Sequence, residues 1–224
     1  MFLKLRKNLL EISHVQAVIF DMDGTLVESE HIWTQAKQDV ARNCGVNVTD
    51  DLLKRYVGRG LNDFINDVLH PMTLKHAAEL NIEMQEKALT DYGGRISVIR
   101  GAIDILTAFS SAGIRVAICS SNSFQAINRS LEVLNAIELV EIVVSGDTLP
   151  LGKPHPLPYL KTLDKLNLDA KNTIAFEDTI AGLTAATTAG IQTMIVGQKL
   201  DDPIFSNATL IDPHLENFEL LGRV

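Results

Sequence analysis

The sequence predicts an α/β fold, a doubly wound parallel sheet with an α-helical segment inserted after its first strand. Three observations predict it. Short apolar runs rich in β-branched residues recur at strand length, and helix-length amphipathic stretches separate most of them. Between about Trp33 and Arg95 that alternation stops, and helical patterns follow one another without a strand. Strands that are apolar along their whole length, rather than at alternate positions, belong to a parallel sheet covered by helices on both faces.

Residues 1–14, MFLKLRKNLLEISH, carry basic side chains without the sustained apolar stretch of a secretory leader, and read as a short helical or frayed lead-in. The first strand is 16–20. Helices are expected over 33–44, 50–56, 61–69 and 74–90, and the turns at Asp91, Gly93 and Gly94 and at Arg100 and Gly101 mark the return to the sheet. The inserted segment is therefore 33–95, and the core comprises 1–32 and 96–224. The next helix is 102–112, where Ala102, Ile105, Leu106 and Phe109 share one face and Gly113 stands at the C-terminal cap. Strands at 115–119, 142–145, 173–176 and 192–196 then alternate with helices at 124–134, 156–166 and 181–189, the last ended by Gly190. A weaker sixth strand is expected at 208–211.

Composition narrows the function. The chain has 224 residues, 46% of them apolar, and no apolar run reaches membrane-spanning length. A formal net charge of −8 with no long basic stripe argues against nucleic acid or an anionic membrane as a partner. A small anionic substrate stays open, since a local cation outweighs a global charge. Cys44 and Cys119 are far apart and in no metal-like spacing, so two free thiols in a reducing cytoplasm are expected. A monomer is expected.

The polar residues that draw attention lie just after the strands, where ligands bind in open α/β sheets. In QAVIFDMDGTLVESE an apolar strand runs into Asp21 and Asp23, followed by Gly24. Residues two apart on an extended chain lie on one side, roughly 6–7 Å apart. One such carboxylate can attack as a nucleophile while the other handles protons. Ser120, Ser121 and Asn122 follow the second strand as a candidate anion cradle, Lys153 stands between Gly152 and Pro154 after the third, and Glu177 and Asp178 follow the fourth. Four acids converging would repel without a cation, and an all-oxygen ligand set suits Mg²⁺. Each group also has an ordinary structural explanation. The aspartate pair can brace a turn, Ser120 or Asp178 can cap a helix with Glu177 as a solvated neighbour, and Lys153 can be a surface lysine. Jointly, an acid nucleophile, an anion cradle and a metal site point to phosphoryl transfer.

On these residues the chain resembles the haloacid-dehalogenase-like phosphatases, and within them the β-phosphoglucomutase and phosphoglycolate-phosphatase-like branch. The resemblance rests on Asp21, Met22, Asp23, Gly24, Thr25 and Leu26, on Ser120 after an apolar strand, on Lys153 through Pro156, and on Glu177 and Asp178. It implies a Rossmann-like core with a helical cap inserted after the first motif. It makes Asp21 the nucleophile that forms an aspartyl-phosphate and Asp23 the group that protonates the leaving oxygen and then activates water. Ser120 would bind the phosphoryl group and Lys153 would neutralise it and Asp21. Mg²⁺ would sit on Asp21, the Asp23 carbonyl and Asp178, with Glu177 contributing directly or through water. Arg59, in the turn from Val57 to Gly60, is the candidate for substrate contact from the cap, joined by Ser121 and Asn122 from the core. Phosphoglucomutase-like members carry a histidine just after the first motif, where a gapless comparison places Trp33, with His31 two residues earlier. The expectation is a Mg²⁺-dependent hydrolase of a small phosphorylated metabolite, with a sugar phosphate as a candidate. A phosphosugar mutase and a non-catalytic phosphometabolite-binding protein are the alternatives.

Overall fold

Every side chain of the segment Ala17–Phe20 is buried, as the middle strand of a two-faced sheet requires. The computed structural model describes residues 1–4, 9–70, 72–73, 75–196 and 215–221. Its strands are β1 (Phe2–Lys4), β2 (Leu9–Glu11), β3 (Ala17–Phe20), β4 (Val27–Glu28), β5 (Ser97–Val98), β6 (Arg115–Ser120), β7 (Ile142–Ser145), β8 (Thr173–Glu177), β9 (Gln192–Ile195) and β10 (Glu219–Leu221). The main sheet has the order β7-β6-β3-β8-β9, with every neighbouring pair parallel. This is the expected doubly wound, Rossmann-like α/β architecture.

Its helices cover both faces. Phe20, Ile118 and Phe176 point to one side, against α6 (Ala102–Ser111) and α7 (Phe124–Leu134); Ile19, Cys119 and Ala175 point to the other, against α8 (Leu157–Leu166) and α9 (Ile180–Thr188). Phe20 stacks on Phe176 at 4.4 Å, and Phe109 of α6 meets the Phe176 ring at 5.9 Å. Each fully buried aromatic of this kind contributes on the order of 1.5–3 kcal/mol.

Between β4 and β5 lie α1 (Glu30–Asn43), α2 (Asp50–Lys54), α3 (Leu61–Phe64), continued by a π-helical turn at Ile65–Leu69, α4 (Ala77–Leu89) and the single turn α5 (Tyr92–Arg95). None contributes a strand to the main sheet. Helix α1 starts at Glu30, three residues ahead of the expected start. Its buried stripe of Ile32, Ala36 and Val40 belongs to the same core as Leu80, Met84 and Ala88 of α4. Strands β4 and β5 pair antiparallel, Val27 opposite Val98, so the chain leaves and re-enters the core side by side.

The lead-in departs from expectation. Phe2–Lys4 and Leu9–Glu11 are strands, not a helical or frayed segment, and form a small antiparallel sheet in the order β10-β1-β2. Leu3 is fully buried within it, whereas Lys4 reaches outward to Glu219 at 2.8 Å. Alternation over three residues was the signal, and the basic side chains masked it. The expected strand at 208–211 lies outside the described residues. Both cysteines are free thiols. No described helix is long and apolar enough to cross a membrane.

Candidate active site

Register places the polar residues. Phe20 pairs with both Ile118 and Phe176, so the chain segments following β3, β6 and β8 emerge together at the carboxyl edge of the sheet. The Asp21 N–H donates to Phe176 O at 2.9 Å, which holds Asp21 against the end of β8. The turn beyond Asp23 needs Gly24 twice over. Its φ is +86°, and a Cβ there would stand 2.0 Å from Asp178 Oδ2.

Lys153 is 1% exposed and is the hub of the site. Its Nζ donates to Asp21 Oδ1 at 2.5 Å, Glu177 Oε1 at 2.6 Å and the Cys119 carbonyl at 2.8 Å. All three ammonium donors are thus used. Burial opposes this charge, but Asp21 and Glu177 outweigh it and hold Lys153 protonated. Tyr159 adds a hydroxyl bond to Glu177 Oε1 at 2.5 Å. Glu177 is therefore the last, fully buried residue of β8 and not a solvated neighbour. A Cβ on Gly182 would fall 1.8 Å from Glu177 Oε2, so α9 approaches the carboxylate as closely as glycine permits.

Asp178 is the first residue beyond β8. The cap of α9 is Thr179, whose Oγ1 accepts from Gly182 N at 3.1 Å, so Asp178 is spared that role. Its Oδ1 is buried and has no hydrogen-bond partner among the described residues. Oxygens of Asp21, Glu177 and Asp178 all lie within 4.8 Å of one another. Three carboxylates around one ammonium leave excess negative charge. Burial, only partly opposed by Lys153 and reinforced by Glu177 and Asp23, pushes the Asp21 carboxyl up to about 8. Burial together with Asp21 and Glu177 holds Asp178 well above the carboxylate range. An orphaned buried oxygen within an all-oxygen acidic cluster fits a hard divalent cation such as Mg²⁺.

The Asp23 carboxylate is not part of that cluster. Its Oδ1 accepts from Ser29 Oγ, from Trp33 Nε1 at 3.3 Å and from the Tyr92 hydroxyl at 3.3 Å. Its Oδ2 accepts from Ser120 Oγ at 3.2 Å and Asn122 Nδ2 at 2.7 Å. The backbone N–H of Asn122 donates to Ser120 Oγ, and the Ser145 hydroxyl fixes the Asn122 carbonyl at 2.6 Å. Ser120 therefore faces the acids and caps no helix, since α7 starts only at Phe124, after Ser123.

Above the acids a narrow cleft encloses about 20 Å³, room for about one water. Its lining joins Asp21, Asp23, Ser121 and Asn122 of the strand ends to Glu30, Trp33, Lys37 and Arg59 of the helical segment. The Ser121 hydroxyl crosses to the Gly58 carbonyl at 2.9 Å. The Arg59 guanidinium faces this space while held by Asp63 at 2.8 Å and Asp67 at 3.7 Å, over the Tyr56 ring. Of the residues expected at the site, Asp21, Asp23, Arg59, Ser121 and Asn122 line this cleft, and Ser120, Lys153, Glu177 and Asp178 neighbour its two aspartates. Sequence reasoning missed Ser29, Trp33 and Tyr92 as partners of Asp23, Tyr159 as a partner of Glu177, and Glu30 and Lys37 as cleft walls. Only the two-turn spacing of Glu30 and Lys37 on one helix face offered a signal.

Comparison with known proteins agrees with this geometry. The model of the haloacid dehalogenase-like hydrolase family matches residues 18–196. The validoxylamine A 7'-phosphate phosphatase of Streptomyces hygroscopicus subsp. limoneus is 29% identical over 177 residues, covering 79% of this chain and 83% of the relative. A phosphorylated carbohydrates phosphatase of Thermotoga maritima is 28% identical over 179 residues, covering 80% and 83%. In structure, a β-phosphoglucomutase from Clostridium difficile superposes with a TM-score of 0.79 at 21% identity, over 90% of this chain and 92% of that one, a likeness of fold. The family match spans β3 through β9, the elements that carry every acid of the site. The chain belongs to the haloacid dehalogenase-like hydrolase family and is an enzyme whose curated relatives include phosphatases.

Proposed function

We propose that the protein is a Mg²⁺-dependent phosphatase that hydrolyses a small phosphorylated metabolite, a sugar or polyol phosphate, through an aspartyl-phosphate on Asp21. One observation carries the proposal: two acids two residues apart serve opposite environments. Asp21 stands among Lys153, Glu177 and Asp178, and Asp23 stands among five neutral donors. The names of the two phosphatase relatives support a phosphorylated carbohydrate as substrate.

In this reading Asp21, Glu177 and Asp178, with the Asp23 carbonyl, would hold Mg²⁺, which when bound would offset the charge of the phosphoryl oxygens and of the carboxylates. Asp21 Oδ attacks phosphorus and the bond to the substrate oxygen breaks. That oxygen takes a proton from Asp23 and leaves as the alcohol. Asp23 then accepts a proton from water as it attacks phosphorus, the Asp21–phosphorus bond breaks, and phosphate departs. Ser120 and Asn122 orient Asp23 and receive the phosphoryl group; Lys153 keeps Asp21 in place and offsets its charge.

Residues 33–95 act as a cap over a core of 1–32 and 96–224. The cleft walls come from both, and a cleft with room for one water admits a phosphoester only when the cap draws back. Arg59, Ser121 and Asn122 meet the substrate at this boundary. Free thiols favour a cytoplasmic location, and the protein acts as a monomer without nucleic acid or membrane.

A phosphosugar mutase is the second reading, favoured by the fold of the phosphoglucomutase neighbour. Against it, Trp33 places an indole N–H, which cannot exchange a proton as a histidine does, beside Asp23. Product analysis tests the choice. Stoichiometric free phosphate from a monophosphate is expected. An isomerised sugar phosphate formed through a bisphosphate, with little free phosphate, would overturn the hydrolase.

A further inference from the structure

Lys37 is 2% exposed, yet among the described residues its ammonium has only distant partners: Glu30 Oε1 at 3.6 Å and the Tyr56 carbonyl at 3.3 Å. Lysine is rarely buried without close pairing, and three donors here find little to hold. Glu30 is similarly underused. Its carboxylate is 29% exposed, meets Lys37 at that same distance, and accepts one long bond from Thr34 Oγ1 at 3.4 Å. A buried ion pair adds little to stability compared with apolar residues of equal volume. This one lies two turns apart on α1, on the face turned to the cleft, and lines the same space as Asp21 and Asp23.

We propose that the Glu30–Lys37 pair determines substrate specificity by binding neighbouring hydroxyl groups on the leaving portion of the substrate. This rests on the phosphatase reading above. A carboxylate and an ammonium side by side offer an acceptor and a donor together. Adjacent hydroxyls of a polyol chain or sugar ring complement them, each hydroxyl able both to donate to Glu30 and to accept from Lys37. The pair is neutral as a unit, so it favours uncharged hydroxylated groups over a second phosphate. Burial, opposed by Lys37 and reinforced by Asp23, raises the Glu30 carboxyl, as expected of a carboxylate short of partners.

The test compares glucitol 6-phosphate with p-nitrophenyl phosphate, whose leaving group has no aliphatic hydroxyls. Glu30→Gln and Lys37→Met keep side-chain volume, and thermal unfolding checks that each is folded. The proposal expects kcat/KM for the polyol phosphate to fall at least tenfold more than kcat/KM for p-nitrophenyl phosphate, in both variants. A purely structural role would lower both substrates in parallel, so an unchanged ratio in either folded variant overturns the proposal while the phosphatase stands. If wild-type protein with Mg²⁺ hydrolyses neither phosphoester, the phosphatase reading fails and this inference falls with it.

Discussion

The Lys153 ammonium lies 2.5 Å from Asp21 Oδ1, inside a site where the lysine side chain is 1% exposed and the aspartate side chain 10%. One cation thus positions the candidate nucleophile and restrains its charge. Lys153→Met leaves Asp21 and Glu177 as unpaired buried carboxylates. Breaking a buried pair by removing one partner costs about 3–5 kcal/mol, to be read from denaturant unfolding. Phosphatase activity is expected to fall at least about a hundredfold.

Metal binding is expected to stabilise the protein, increasingly so at higher pH. In the metal-free protein the Asp21 carboxyl stands at about 8 and Asp178 is also raised, so the folded state holds more protons than the unfolded one. Its stability then falls as pH climbs from the ordinary carboxylate range through the folded values. Mg²⁺ binding to the folded state opposes that loss, by about 2.7 kcal/mol at a hundred times its Kd. The gain in Tm on adding Mg²⁺ should be larger near pH 8 than near pH 6, and Asp178→Ala should remove most of it. An equal gain in that variant would take Asp178 out of the ligand set.

Two glycines leave room for the acids. Gly182→Ala sets a methyl 1.8 Å from Glu177 Oε2, and Gly24→Ala sets one 2.0 Å from Asp178 Oδ2. Overpacking of this kind costs about 1–3 kcal/mol. Gly45 is the control, with a φ of +73° and nothing within 4 Å of an added Cβ. Gly45→Ala should cost stability alone, whereas Gly24→Ala should also weaken Mg²⁺ binding, measured by calorimetry.

Trp33 and Tyr92 are expected to act on catalysis through Asp23, if it carries the proton as proposed. Trp33→Phe and Tyr92→Phe each remove one long hydrogen bond to its Oδ1. A net hydrogen bond of about 0.5–1.5 kcal/mol corresponds to a loss in kcat of roughly two- to tenfold. The pH profile of kcat should move with it, since Asp23 is the proposed proton carrier. A fall in kcat with an unmoved profile would mean that these aromatics only pack.

Much of this was legible because the sheet and the site share a grammar. Strands buried on both faces read as unbroken apolar runs, and the residues that end them must stand at one edge of a parallel sheet. Asp21, Ser120 and Glu177 could therefore be grouped before any contact was known. The donors to Asp23 could not. Ser29, Trp33 and Tyr92 arrive through the fold of the helical segment, and Tyr92 lies 69 positions from the carboxylate it meets. Strands β1, β2 and β10 stayed hidden because each has three residues and β1 finds one partner at the far end of the chain. At Asp178, proximity to a helix start suggested a cap that Thr179, one residue on, provides. Glu30 and Lys37 showed their spacing, but their burial is set by what packs over α1, which periodicity does not reveal.

The most direct test of the central claim is phosphate release from sugar and polyol phosphates by wild type and Asp21→Asn, with and without Mg²⁺. The substitution keeps the shape of the side chain while removing the nucleophilic charge. Metal-dependent release by the wild type and none above background by the variant is expected, with the fold retained in both. Release by Asp21→Asn at a rate close to wild type would contradict the covalent mechanism.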